Sequence, residues 1–315
     1  MKKVFITGGS GTVGMNFIEF NINKYKIYSY SRNEKSQVAL KRTYKDVEII
    51  LGSVEDRLNL ENTITKIKPD IIIHAAALKH VDSAEKQPIE MVKSNIIGSK
   101  NIIELSKKLD IPITIGISTD KACDPNNLYG YSKLIMEKMF MESNNEKNIF
   151  CCTRFGNVAG SNGSVIPFWL NCKNQNKPLP LTNLAMTRLM LNGKEVSSLI
   201  ERCIYEAENK IGGFILSKNM KKVELKDLAN KISSKIEIIG LRPGEELHEN
   251  LISKRELKFT KVDSDYIFIY NKKNFDKFSR LKSPLSSKNA LKMSSDELID
   301  LIAYVEKKML NTMNY

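Results

Sequence analysis

Residues 4 to 14 constrain the fold more than any other stretch. Val4-Phe5-Ile6 is a short β-forming run. It enters Thr7-Gly8-Gly9-Ser10-Gly11-Thr12-Val13-Gly14, and a helical pattern follows over Val13–Asn21. A strand that ends in glycines spaced GxxGxxG and feeds a helix suits the pyrophosphate of a dinucleotide. One glycine permits the tight turn, one lets phosphate approach the backbone, and one lets helix and strand pack closely, while the helix N-terminus faces the anion. Gly8, Ser10, Gly11, Thr12, Val13 and Gly14 are therefore candidate cofactor contacts.

The rest of the first half keeps that rhythm. Strand patterns at Lys3–Thr7, Ile27–Tyr30, Val47–Leu51, Asp70–His74, Ile113–Ser118 and Phe150–Arg154 alternate with helical patterns. The helices fall at Val13–Asn21, Asp56–Lys66, Ile89–Leu109 and Leu128–Glu142. Such alternation predicts an α/β fold, a Rossmann-type doubly wound parallel sheet. Ile71-Ile72-Ile73 lacks polar alternation, as a strand buried on both faces should. After Gly163 the rhythm loosens: helices are expected at Ser164–Lys173, Lys194–Glu208, Leu225–Ser234 and Ser295–Leu310, and a strand at Phe214–Ser217. Ser294 and Glu297 have the spacing of a capping box. With 315 residues there is room for about two domains. The reading places a nucleotide domain at 1–170, with part of 190–220 returning to it. A smaller α/β substrate domain then occupies mainly 171–315.

Composition narrows the function classes. The longest apolar stretch near the middle, Ile71 to Leu78, is far short of the ~20 residues that cross a bilayer. No signal-peptide core follows Lys2-Lys3. A cytoplasmic protein without membrane association is expected. Five cysteines (123, 151, 152, 172 and 203) form no CxxC pair, and histidines 74, 80 and 248 form no HExxH, so neither a disulfide framework nor a metal site is expected. The net charge of +13 is spread along the chain without a nucleic-acid-binding motif. It suits a basic surface, or a cleft for anionic small molecules, better than a nucleic-acid partner.

The second strand bears on which nicotinamide cofactor binds. NAD readers usually end this strand in an acid that takes the ribose hydroxyls. Here it ends Tyr30-Ser31-Arg32-Asn33, with Lys35 beyond. Ser31, Arg32 and Lys35 thus favour NADP, with NAD the other option. Ala75 and Ala76 after His74 let a cofactor lie close to the backbone; His74 itself reads as a packed residue. Asn95 either holds a relay near the active site or interrupts its helix.

The chemistry concentrates between 118 and 133. Strand Ile113–Ser118 runs into Ser118-Thr119-Asp120-Lys121, at the carboxyl edge where ligands of this architecture bind. Tyr129 and Lys133 stand four residues apart on one helix face. An ammonium beside a phenol favours phenolate, which removes a hydroxyl proton while hydride leaves the same carbon. Thr119 would bond the reacting hydroxyl. Tyr131 is a decoy, because its partner one turn on is Ile135. Asp120-Lys121 goes further than a ketoreductase needs. Oxidising a sugar C4 hydroxyl acidifies the C5 proton; Lys121 as base and Asp120 as acid then fit loss of that proton and of the C6 hydroxyl as water. A structural ion pair is the other reading of these two residues.

These residues make the chain resemble an extended short-chain dehydrogenase/reductase. More narrowly, it resembles the soluble inverting UDP-N-acetylglucosamine 4,6-dehydratases of bacterial polysaccharide biosynthesis. The motifs are TGGSGTVG (Thr7–Gly14), HAAALKHV (His74–Val81), STDKACDPNNLYGYSK (Ser118–Lys133), RFGNVAGSNGSVIP (Arg154–Pro167), Met186-Thr187-Arg188 and GLRPGEELHE (Gly240–Glu249). The resemblance implies NADP as cofactor, UDP-N-acetylglucosamine or a related UDP-hexosamine as substrate, and UDP-2-acetamido-2,6-dideoxy-β-L-arabino-hex-4-ulose as product. That sugar is an early intermediate toward pseudaminic acid or capsule sugars. Thr119, Asp120, Lys121, Tyr129 and Lys133 fall on the family's catalytic positions. Lys79, Asn157, Ser164 and Val165 would meet the sugar nucleotide. Arg188 and Arg242 would clamp its diphosphate, as a planar donor fork does well. Glu245 and His248 either line the uridine side or pack the Pro243-Gly244 turn, and Arg154 either joins the diphosphate clamp or is only structural. Where the family commonly has Gly-Asp-Val-Arg-Asp, this chain has Gly52-Ser53-Val54-Glu55-Asp56, which makes Ser53 and Val54 the adenine-side contacts. A homo-oligomer, dimer or hexamer, is also implied. The rival activity is a nucleotide-sugar 4-epimerase or 4-ketoreductase using the same Tyr129–Lys133 pair.

Overall fold

The computed structural model describes residues 1–161, 163–241, 244–271 and 280–313. The elements open with β1 (Lys3–Thr7), α1 (Thr12–Asn21), β2 (Lys26–Ser31), α2 (Glu34–Thr43), β3 (Glu48–Leu51), α3 (Arg57–Ile67) and β4 (Ile71–His74). A helical run follows as α4 (Val81–Lys86), α5 (Pro88–Met91), a wide-turned segment Val92–Ile97 and α6 (Gly98–Lys108). Next come β5 (Ile113–Ile117), α7 (Leu128–Ser143), β6 (Ile149–Thr153), β7 (Asn157–Val158), α8 (Val165–Asn174), β8 (Leu179–Leu181), β9 (Thr187–Leu191) and α9 (Gly193–Glu208). The chain closes with β10 (Phe214–Lys218), β11 (Lys222–Glu224), α10 (Leu225–Ile232), β12 (Ile236–Ile238), β13 (Asn250–Ile252), β14 (Thr260–Asp263), β15 (Tyr266–Tyr270), β16 (Leu285–Ser286) and α11 (Ser295–Met313).

One nine-stranded sheet organises the molecule, in the order β14-β15-β10-β6-β5-β4-β1-β2-β3. From β3 to β10 neighbouring strands are parallel, and β15 and β14 add an antiparallel edge. The predicted doubly wound sheet is therefore present. Its central strands are apolar throughout because helices cover both faces: Val4, Phe5, Ile6, Ile71, Ile72, Ile73 and Ile115 are fully buried. The chain crosses from one side of β1 to the other after β3, so the carboxyl ends of β1 and β4 open a crevice between them.

Local signals set the helix boundaries. Asp56 caps α3 by accepting from Asn59 N–H (3.0 Å), and Asn127 caps α7 through Gly130 N–H (2.9 Å). The box expected at α11 forms in both directions, with Ser294 N–H to Glu297 at 2.8 Å and Glu297 N–H to Ser294 Oγ at 3.2 Å. The single helix expected over 89–109 is instead three helical pieces. Val92–Ile97 takes the wider π pitch, and Gly98 lets the helix lie against Val54, whose Cγ2 would sit 2.5 Å from a Cβ there.

A second, smaller core lies beyond the sheet. Trp169, Ile166 and Leu170 of α8 meet Leu179, Leu181, Leu228, Leu301 and Val305. Between 171 and 315 the chain serves both cores. β8, α10 and α11 build the smaller one, whereas α9, β10 and the β14–β15 pair complete the large sheet. No helix among the described residues is long and apolar enough to cross a membrane.

Candidate active site

A cavity of about 680 Å³ opens at the carboxyl edge of the sheet, between the two cores. Gly8, Gly11, Thr12 and Val13 line one end, with Ala75 beside them. Gly8 has φ +70°, and a Cβ there would sit 2.8 Å from Ala76 Cα, so only glycine lets the two strand-end loops touch. Gly14 serves helix packing: its Cβ would lie 2.5 Å from the Gly9 backbone. Gly11 is the N-cap of α1 and supplies no side-chain cap, and Thr12 and Val13 of the first turn line the cavity, where a helix N-terminus favours an anion. Ser10 is buried within the turn. This cradle fits a dinucleotide pyrophosphate.

The adenosine-side candidates cluster at the tips of β2 and β3. Arg32, half exposed, pairs with Glu55 at 3.3 Å. Ser31 ends β2, and Lys35 is exposed in the first turn of α2. Ser53 Oγ accepts from Glu55 N–H (3.3 Å), and Val54 is buried against Gly98. Asn95 straps the loop after β4 to α7: it accepts from Leu78 N–H (2.8 Å) and donates to Leu78 O (2.9 Å) and Ser132 Oγ (3.0 Å). Its role here is to hold the cavity wall. His74 is a packed residue. It bonds Thr7 Oγ1 (2.8 Å) and Ser99 Oγ (3.0 Å), and burial, with the Lys133 charge behind it, pushes it down to about 3.

Thr119, Lys121, Tyr129 and Lys133 line the middle of the cavity. Asp120 is buried just behind them, 1% exposed. Its Oδ1 accepts from Thr119 Oγ1 (2.9 Å) and from Lys121 Nζ (3.2 Å). Burial opposes the Lys121 charge, yet Asp120 and Glu249 together hold its ammonium above the ordinary lysine range. Burial pushes the Tyr129 phenol up to about 12, against the pull of the Lys121 charge and the Thr119 hydroxyl. Burial brings Lys133 down to about 8, and its Nζ sits 3.4 Å from Met136 Sδ. Lys121 thus adds a second cation to the cavity beside the Lys133 that the four-residue spacing suggests. Tyr131 points outward, 51% exposed, as a decoy should.

Lys79, Asn157, Ser164, Arg188 and Glu245 line the far end of the cavity. Val165 opens α8 next to Ser164 and packs on the smaller core. Arg188 reaches Glu245 at 3.6 Å and Glu249 at 4.0 Å, so its fork already faces oxyanions. His248 bonds Thr187 Oγ1 (2.7 Å) and packs, whereas Glu245 lines the cavity. Arg242 lies outside the described residues. Arg154 is a structural clamp. It holds Glu137 of α7 with both forks (2.8 and 2.7 Å) and reaches Leu251 O (3.1 Å) and Glu256 (3.0 Å).

Two site residues escape a reading of the sequence. Ser118 lines the cavity at the end of β5, and Glu249 reaches Lys121 Nζ at 3.2 Å. The Gly240–Glu249 motif contains Glu249, but nothing in its spacing says that it meets Lys121. Among the described residues, no cluster of three or more His, Cys, Asp or Glu is placed to hold a metal ion.

Comparison with known proteins agrees with this geometry. The sequence profile of the polysaccharide biosynthesis protein family matches residues 4–271. The inverting UDP-N-acetylglucosamine 4,6-dehydratase of Campylobacter jejuni is 32% identical, with 97% of this chain and 98% of that protein aligned. A UDP-glucose 4-epimerase of Rickettsia bellii is 29% identical, over 98% of both. The crystal structure of Pen from Bacillus thuringiensis superimposes with a TM-score of 0.87 and 28% identity, covering 97% of this chain and 98% of that one.

Proposed function

The chain belongs to the polysaccharide biosynthesis protein family, and from that premise we propose that it is a UDP-N-acetylglucosamine 4,6-dehydratase that inverts C5. The observation that carries the proposal is the Asp120–Lys121 pair, 3.2 Å apart, with Lys121 lining the cavity beside Tyr129 and Asp120 buried directly behind it. An epimerase or ketoreductase has no use for a second acid and base beside its tyrosine. A dehydratase needs both.

Each residue has a defined task. Tyr129 takes the proton of the C4 hydroxyl, with Thr119 bonding that oxygen. Gly8–Val13 would hold a nicotinamide cofactor, which would supply the hydride chemistry between C4 and C6. Elimination needs Lys121 as free amine and Asp120 as carboxylic acid. One proton passing from Nζ to Oδ1 across their hydrogen bond converts the resting ion pair into both forms at once. Lys121 then removes the C5 proton, and Asp120 protonates the departing C6 hydroxyl, which leaves as water. The pair is again ammonium and carboxylate, so its proton count closes. C5 inverts because a solvent proton arrives on the face opposite Lys121, and Tyr129 returns the C4 proton to solvent, so the cycle loses one water and no net proton. The product is UDP-2-acetamido-2,6-dideoxy-β-L-arabino-hex-4-ulose.

Binding divides between the two lobes. The large-sheet lobe takes the cofactor on Gly8–Val13, and Arg32 at the tip of β2 favours NADP by facing a 2′-phosphate. Lys79, Asn157, Ser164 and Arg188 take the UDP-sugar, with the Arg188 fork on the diphosphate. A homo-oligomer is supported by exposed apolar residues on packed helical segments: Ile89, Val92 and Ile97 on segments that pack against α7, and Tyr131 and Ile135 on α7 itself.

Proton NMR of the protein with UDP-N-acetylglucosamine in D₂O tests the reading. A C6 methyl signal, deuterium at C5 and L-arabino couplings are expected. A new hexose without a methyl group would make the protein an epimerase. An unchanged spectrum with cofactor bound would remove this substrate.

A further inference from the structure

We propose that Glu249 is a positioning residue for Lys121, orienting its amine toward the sugar and keeping the proton that it shares with Asp120 in the pair. This rests on the assignment of Lys121 as the C5 base. Lys121 follows β5, and Glu249 comes from a distant part of the chain, just before β13, whose Leu251 and Ile252 pack in the large core. Their contact is built from both ends. Glu249 N–H donates to Ser287 Oγ and Ser287 N–H donates back to Glu249 O, both at 2.9 Å, so its backbone is fixed on β13–β16. The next turn of that strand is held by Arg154, which grips Leu251 O (3.1 Å) and, through Glu137, the helix that carries Tyr129 and Lys133. Little freedom is left for the 3.2 Å contact between Glu249 Oε1 and Lys121 Nζ.

The charged and titratable groups that face Lys121 are Asp120, Glu249, Arg188 and Tyr129. Those that face Glu249 are Lys121, Asp120 and Arg188. A neutral amine has two N–H bonds and one lone pair. With Glu249 accepting one N–H bond, the amine is held at a fixed angle to the cavity while Asp120 passes its acquired proton to the C6 hydroxyl. A second carboxylate on the ammonium also delays deprotonation, and burial raises the Glu249 carboxyl itself above its usual range. Asp120 is sealed from solvent and acts as the acid, so Glu249 is the member of the trio free to serve this purpose.

Two variants and two readouts test it. Glu249→Gln keeps the backbone anchors and an acceptor oxygen but removes the charge. The titration of Lys121, followed by ¹⁵Nζ NMR in the cofactor-loaded protein, should move down by about one pH unit or more. The alkaline limb of the kcat profile, where the pair loses its shared proton, should move with it. Glu249→Ala should lower kcat about 10- to 100-fold with KM nearly unchanged, because orientation is lost while binding is not. A Lys121 titration unmoved in Glu249→Gln would overturn the proposal, and so would a raised KM with kcat intact in Glu249→Ala. The NMR titration does not depend on turnover. Wild-type protein that fails to dehydrate would therefore count against the proposed function, and the titration would still decide the role of Glu249.

Discussion

Gly130→Ala should disable the site without unfolding the protein. Gly130 lies one residue after Tyr129, in the first turn of α7, where the helix passes the loop that carries Asp120 and Lys121. A Cβ added there would sit 2.3 Å from the Lys121 carbonyl oxygen and 3.0 Å from Pro125 Cβ. Carbon-to-oxygen contacts settle at about 3.3–3.6 Å, so loop and helix must separate by about 1 Å. The helix is the less able to yield. Phe140 and Met136 are fully buried on it, and Glu137 is held by Arg154. The 120–125 loop therefore moves, carrying Asp120 and Lys121 away from Tyr129. Overpacking of this kind costs about 1–3 kcal/mol of stability, a fall of several degrees in Tm. A displacement of about 1 Å between reacting groups costs about 100-fold in rate. The expected result is a folded protein with near-normal cofactor affinity, since Gly8–Val13 are remote, and with kcat down about two orders of magnitude. Circular dichroism, cofactor titration and NMR of product formation separate these quantities. A folded variant with kcat within a few-fold of wild type would refute the reasoning, because the site would then tolerate the separation.

Lys121→Ala should leave UDP-sugar and cofactor binding in place and lower turnover by about 10²–10⁴-fold, the usual worth of a general base, with deuterium incorporation at C5 lost; near-normal turnover would remove Lys121 from that role. Arg32→Ala should weaken NADP by about 1.5–3 kcal/mol more than NAD, measured by calorimetry, and equal losses would end the phosphate-reading assignment. His74 binds its proton far less readily folded, at about 3, than unfolded, at 6.5. Below pH 6.5 the unfolded state takes up the proton first, so stability falls by about 1.4 kcal/mol per pH unit from this group as pH drops toward 3. Urea midpoints for His74→Asn should show a shallower slope between pH 6.5 and 5, and parallel slopes would refute it. Ile97→Asp with Ile135→Asp should shift sedimentation to a smaller species if those apolar residues join copies, while an unchanged value would clear them of the role.

The large sheet was legible because its signals are local. A strand, a glycine turn and a helix lie side by side in sequence, and buried parallel strands are written as apolar runs such as Ile71-Ile72-Ile73. Tyr129, Lys133, Asp120 and Lys121 were legible for the same reason, all falling within one short segment. What escaped has no local signature. α2 buries little beyond Gln37 and Leu40 and presents a charged face elsewhere, so its periodicity is faint. The strands from β8 to β16 are mostly two to five residues long, too short for alternation to register. β14 and β15 return to the large sheet through pairing with β10, a contact between distant parts of the chain. The charge balance of the site belongs to this second kind. Spacing on α7 names Lys133 as the cation for Tyr129. Folding adds Lys121 to the same cavity and sets Glu249, from the segment before β13, against Lys121. Local sequence thus supplies the reacting groups, and long-range pairing sets the protonation states in which they act. A variant that leaves every motif intact can still silence the site if it loosens the β13–β16 pair or the Arg154 clamp.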